Sequence, residues 1–182
     1  RPAPRLCCGR ERLTARLLAR LRGLRQQSFL AVVGKSGSGK SSLVRAGLIP
    51  TLRGERPPPE GADLPDGSPR WAYLEMTPTD RPLEQLAVTL TRDLTTAGET
   101  RAVRDDLQAD PAAAPLYLRK YLERQRAPRV LLLVDQFEEL YAACKDEAAR
   151  AAFITALLDV AEAGLTTVVI TLRADFLHRF LD

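Results

Sequence analysis

Residues 29–52 read FLAVVGKSGSGKSSLVRAGLIPTL, an apolar run followed by a glycine, serine and lysine cluster and a second apolar stretch. Gly34, Gly39, Lys40 and Ser41 satisfy the pattern GxxxxGK(S/T), flanked by a strand-like run and a helix-like run as phosphate binding requires. At ordinary residue frequencies the pattern alone would arise by accident about one time in a hundred in a chain of this length. Glycines at 34, 37 and 39 permit backbone angles closed to other residues, so successive N–H groups can face phosphate oxygens at a helix N-terminus. The loop residues Gly34, Ser36, Gly37, Ser38, Gly39, Lys40, Ser41 and Ser42 are therefore assigned to a bound nucleotide. Lys40 is expected to reach the β- and γ-phosphates, and the Ser41 hydroxyl to ligate Mg2+. Lysine is scarce in this chain, with only Lys35, Lys40, Lys120 and Lys145 among 27 basic residues. A compact ammonium at position 40 is thus a specific choice over the guanidinium fork used elsewhere.

Other elements place further chemistry near the loop. RVLLLVDQFEEL reads as a strand ending on acids, and TTVVITLRADF as another. Strands that are continuous apolar runs and alternate with helices imply a parallel sheet covered on both faces, with ligands at the carboxyl ends of the strands. Asp135 then stands where a P-loop protein holds Mg2+. The next residue is Gln136, a poor base, and Glu138 and Glu139 follow as candidates to orient the attacking water. The second strand ends near Thr171, Arg173 and Asp175, at the same ligand edge.

The remaining chain organises around these segments. Leucines at 13, 17, 18, 21 and 24 predict an amphipathic helix over 10–25, FLAVV a buried strand, and Lys40 to Thr51 one helix. The Pro- and Gly-rich stretch at 53–69 predicts a mobile loop, and WAYLEM a strand. A helix capped by Asp80 with Pro82 in its first turn follows, then two helical stretches to about Gln125, and a last helix stopped by Gly164. The result is a single α/β P-loop domain spanning 1–182, read as a piece of a longer polypeptide.

Composition narrows the function. Net charge is +4, but bases and acids are interleaved and aromatics make up 5%, which argues against a nucleic-acid surface. No apolar run has the length of a membrane span, and three cysteines without metal spacing fit a reducing compartment, so a cytoplasmic location is expected. The chain contains no asparagine, so the NKxD guanine reader of GTPases cannot exist in its usual form. The signature LSGGQ of transporter motors is also missing from the sequence.

Gly9-Arg10-Glu11, AVVGKSGSGKSSLVRAGLIPTL, RPLEQLA, LLLVDQFEEL and VVITLRADF, in that order, resemble the NTPase domain of STAND signal-transduction ATPases, and within it the bacterial novel STAND NTPases of type one. The resemblance implies a three-layer ASCE-type fold, with the strand bearing Arg173 between the P-loop strand and the Asp135 strand, an order that brings Arg173 beside the terminal phosphate. It also implies ATP and Mg2+ as ligands, and slow hydrolysis in a switch that works with C-terminal regulatory or repeat domains of the same chain and assembles into homo-oligomers on activation. Gly9 and Arg10 would help hold the adenine end. The acids downstream of the aspartate also resemble the NACHT branch of the class, which favours Glu138 and Glu139 over Gln136. Three positions depart from the family pattern: Lys35 replaces a proline, and Cys7 and Cys8 replace aromatics. A non-hydrolysing nucleotide-dependent binding module and a transducing ATPase of another class are the alternatives.

Overall fold

A computed structural model describes residues 8–24, 28–93 and 97–180. Among these described residues four parallel strands form one sheet: β1 (Phe29–Gly34), β2 (Ala72–Met76), β3 (Val130–Val134) and β4 (Thr166–Arg173), in the order β1-β4-β3-β2. The strand carrying Arg173 thus lies between the P-loop strand and the strand leading to Asp135, as the resemblance implies.

Helices cover both faces because side chains alternate along each central strand. Leu131, Leu133, Val169 and Val32 face one side, where they pack with Leu18 and Leu21 of α1 (Cys8–Gly23) and with Val44, Leu48 and Leu52 behind the phosphate loop. Val130, Leu132, Val134, Val168, Ile170 and Leu172 face the other side. They meet α4 (Pro82–Leu90), α5 (Ala97–Ala109), α6 (Ala114–Gln125) and α8 (Glu147–Glu162), with Phe153 of α8 fully buried. Each large apolar side chain so removed from water contributes about 1.5–3 kcal/mol before the entropy of ordering it is counted. The architecture is a three-layer α/β fold. Among the described residues no helix is long and apolar enough to cross a membrane.

Four local expectations change. Among the described residues the FLAVV strand is only partly covered: β1 lies at the edge of the sheet they form, with Val32 buried and Ala31 and Val33 exposed. The helix after the loop is not regular either, but runs through α2 (Lys40–Leu43), a π turn (Val44–Leu48) and α3 (Ile49–Leu52). Pro50 brings no N–H to the ladder, and the Ala46 carbonyl instead accepts from the Arg56 guanidinium at 2.9 Å. Within that turn Gly47 meets α1 closely, since a Cβ there would stand 2.9 Å from Thr14 Oγ1. Asp80 does not cap α4. The cap position is Arg81, whose N–H donates to Thr79 Oγ1 at 3.2 Å, because Pro82 opens the helix and forces the residue before it out of helical geometry. The proline-rich loop is tied down, with Ala62 and Leu64 packed on the α1 face and Asp63 paired with Arg22 at 2.6 Å.

Candidate functional site

The phosphate loop leaves the sheet at Gly34 and enters α2 at Lys40. Gly37 (φ 72°) and Gly39 (φ 83°) sit in the left-handed region, where a side chain would be strained. Gly34 serves differently: a Cβ there would fall 2.9 Å from Ser38 Oγ, so the loop closes over a bare backbone. Lys40 Nζ donates to the carbonyls of Gly34 and Lys35, both at 2.9 Å, and so spans the loop it is expected to serve. Ser36, Gly37, Ser38 and Ser42 are exposed around it.

Ser41 Oγ donates to Asp135 Oδ1 at 2.7 Å, joining the start of α2 to the end of β3. Asp135 is 1% exposed, and its Oδ1 also accepts from the Thr171 hydroxyl at the end of β4. Thr171 in turn accepts the Gln136 N–H at 2.9 Å, and its carbonyl accepts the Phe137 N–H at 2.9 Å. The chain reverses there, with Gln136 at φ 53°, a region that non-glycine residues seldom adopt. That reversal turns the Gln136 side chain out to solvent and Glu138 inward.

Glu138 precedes α7 (Glu139–Ala143) and is 7% exposed; its Oε2 accepts the backbone N–H of Arg173 at 3.2 Å. Glu139 begins α7 and is half-buried. Arg173 is paired across the sheet with Gly34, so it stands beside the foot of the phosphate loop. Its guanidinium holds Asp175 through Nε–Oδ1 at 3.2 Å and Nη2–Oδ2 at 2.7 Å, and lies over the Phe176 ring at 5.4 Å. The hydrogen bond from Arg173 draws the Asp175 carboxyl below its ordinary range, and the positive field of Lys40 acts in the same direction. Gly9 and Arg10 fall in the first turn of α1, with Arg10 exposed.

Of the predicted residues, Lys40, Ser41, Asp135, Glu138 and Arg173 converge at the carboxyl end of the sheet. Two partners of Asp135 were not identified from sequence. Thr171 was visible only as a strand end, although a threonine among fully buried aliphatics is a signal for a polar partner. Arg45, whose Nη2 lies 3.0 Å from Asp135 Oδ2, follows Ser41 by four residues, the spacing that puts two side chains on one helix face.

The donor set fits a hard divalent cation. It is a hydroxyl and a carboxylate, all oxygen, and among the described residues no cluster of three or more His, Cys, Asp or Glu forms a cage. Such a sparse protein contribution suits Mg2+, which keeps much of its water and shares phosphate oxygens.

Comparison with known proteins bears on the fold and the family. The Aeropyrum pernix ORC2 protein, solved in ADPNP–ADP complexes, is similar in structure with a TM-score of 0.53 at 15% identity. The likeness covers 95% of this chain and 42% of that one, and supports the α/β P-loop fold. No curated protein sequence matches the chain. The sequence pattern of Novel STAND NTPase 1 matches residues 3–182, nearly the whole chain, and on that match the protein belongs to the Novel STAND NTPase 1 family.

Proposed function

We propose that this domain binds Mg·ATP and hydrolyses it slowly, as the nucleotide switch of a cytoplasmic signal-transduction protein. The observation that carries the reading is the Ser41–Asp135 hydrogen bond, which brings phosphate loop and acidic strand end into one site. Lys40 and the loop N–H groups hold the phosphates, with Gly9 and Arg10 toward the adenine. Ser41 and Asp135 hold Mg2+, which offsets phosphate charge when bound. Glu138 takes the place of water-orienting base ahead of Glu139, because its Oε2 is already fixed by the Arg173 N–H. Nucleotide state then acts on regulatory or repeat domains of the same polypeptide and on assembly of several copies, without membrane or nucleic acid.

A non-hydrolysing binding module is the second reading, favoured by Gln136 in the position after Asp135. Phosphate release with ATP and with GTP, measured beside equilibrium binding of both, separates the two. Release with ATP and weak use of GTP supports the switch, whereas tight ATP binding without release supports the module. Loss of both activities overturns each.

Arg173 decides whether the site senses the third phosphate. Its present partner, Asp175, is solvent-exposed and easily exchanged, so a γ-phosphate beside Gly34 can recruit the guanidinium. A charge-assisted contact of that kind is worth about 1.5–3 kcal/mol. Arg173→Ala should thus weaken a non-hydrolysable ATP analogue about tenfold or more relative to ADP, with little change in thermal midpoint without nucleotide. Equal losses for the two nucleotides would return Arg173 to a surface role.

A further inference from the structure

One guanidinium nitrogen lies between two carboxylates. Arg45 Nη2 is 3.0 Å from Asp135 Oδ2 and also contacts Glu75 Oε1 on β2. The carboxylates differ in setting: the Asp135 side chain is 2% exposed, the Glu75 side chain 39%. Arg45 itself is half-exposed, and with Glu75 it lines a cavity of about 670 Å³ on the outer side of β2. The guanidinium therefore has open space on its Glu75 side. Ser41 and Thr171 both donate to Oδ1, which leaves Oδ2 to Arg45.

A buried carboxylate needs a counter-charge, and an uncompensated one is strongly destabilising. Arg45 supplies it. A divalent cation held by Ser41 and Asp135 would supply it as well, and two cations at a single carboxylate repel each other. Glu75 offers the displaced guanidinium a second carboxylate without requiring it to leave the pair entirely.

We propose that Arg45 is an exchangeable counter-ion of Asp135, which neutralises that carboxylate when no metal is bound and passes to Glu75 when Mg2+ and nucleotide are held at Ser41 and Asp135. The inference rests on the Mg·ATP reading above and deepens it. Arg45 is a positioning residue in this scheme, and the Arg45–Glu75 pair sets the Mg2+ concentration at which nucleotide is captured.

The test is a Mg2+ titration of the binding of a fluorescent ATP analogue to the 182-residue protein, read by anisotropy at fixed nucleotide. Arg45→Gln should lower the Mg2+ midpoint about two- to fivefold, the scale of a half-exposed ion pair. Its thermal midpoint in Mg2+-free buffer should also fall by about 2–4 °C. Glu75→Gln, a rim change that leaves the core intact, should instead raise the Mg2+ midpoint about twofold. In the Arg45→Gln background Glu75→Gln should change nothing, because its effect passes through the guanidinium. A purely structural bridge would move the thermal midpoint and leave both Mg2+ midpoints alone, which overturns the proposal. A Glu75→Gln effect that persists without Arg45 overturns it too, by showing a general field. A wild type with no Mg2+-dependent nucleotide binding removes the Mg·ATP reading itself, and the proposal with it.

Discussion

Lys40→Ala should weaken Mg·ATP binding by about 100-fold or more in titration calorimetry, enough to remove the signal at concentrations that saturate the wild type. The ammonium makes two hydrogen bonds to loop carbonyls at 2.9 Å, so it already sits across the mouth of the loop. Contact with two phosphate groups adds two charge-assisted bonds of about 1.5–3 kcal/mol each. Its stem runs close over Gly34, where a Cβ would meet Lys40 Cδ at 3.5 Å, so the side chain and the bare backbone are fitted to one another. Arginine in its place should also bind poorly, because the planar fork is broader than the ammonium it replaces. Lys40 belongs to neither apolar cluster, and the thermal midpoint without nucleotide should stay nearly constant. Equal binding by wild type and Lys40→Ala would remove the loop from the nucleotide site.

Glu138→Gln should lower ATP turnover by about 10²–10⁴-fold while leaving ATP affinity within a few-fold, the range expected when a positioned base is lost. The amide oxygen can still accept the Arg173 N–H that Glu138 Oε2 accepts at 3.2 Å, so the fold around it survives and the loss is chemical. Glu139→Gln should cost much less, since that side chain is half-buried at the first turn of α7 and has no tether to β4 in its hydrogen bonding. Single-turnover phosphate release on both variants and their combination distinguishes them. Turnover that survives both substitutions would hand the role to Gln136, whose exposed side chain leaves the same turn.

The candidate site was legible where its pattern is local. The phosphate loop needs only glycine, lysine and serine at fixed spacing between a strand and a helix, and Asp135 needs only the end of an apolar run. The order of strands was not in any single segment and came through the family resemblance. An apolar run such as FLAVV does not say which position in a sheet it will occupy, which is why β1 at the edge differs from the expected buried strand. Tertiary contact also decides helix detail. Gly47 and Pro50 reshape the helix after the loop through α1 and Arg56, partners that no window of the sequence brings together. The same holds for Arg45, whose two carboxylates lie on β2 and after β3.

Within the described residues the phosphate loop leaves from a strand that has one side open to pairing. Among the described residues β1 pairs along one side only, with β4, so its other row of peptide N–H and C=O groups has no strand partner there, and Val33 on the same strand is 40% exposed. Such a row is a template for any extended segment that comes near. A segment that docks there lies along the backbone that leads into Gly34. A strand that pairs there, from elsewhere in the same polypeptide or from another molecule, would brace the root of the loop.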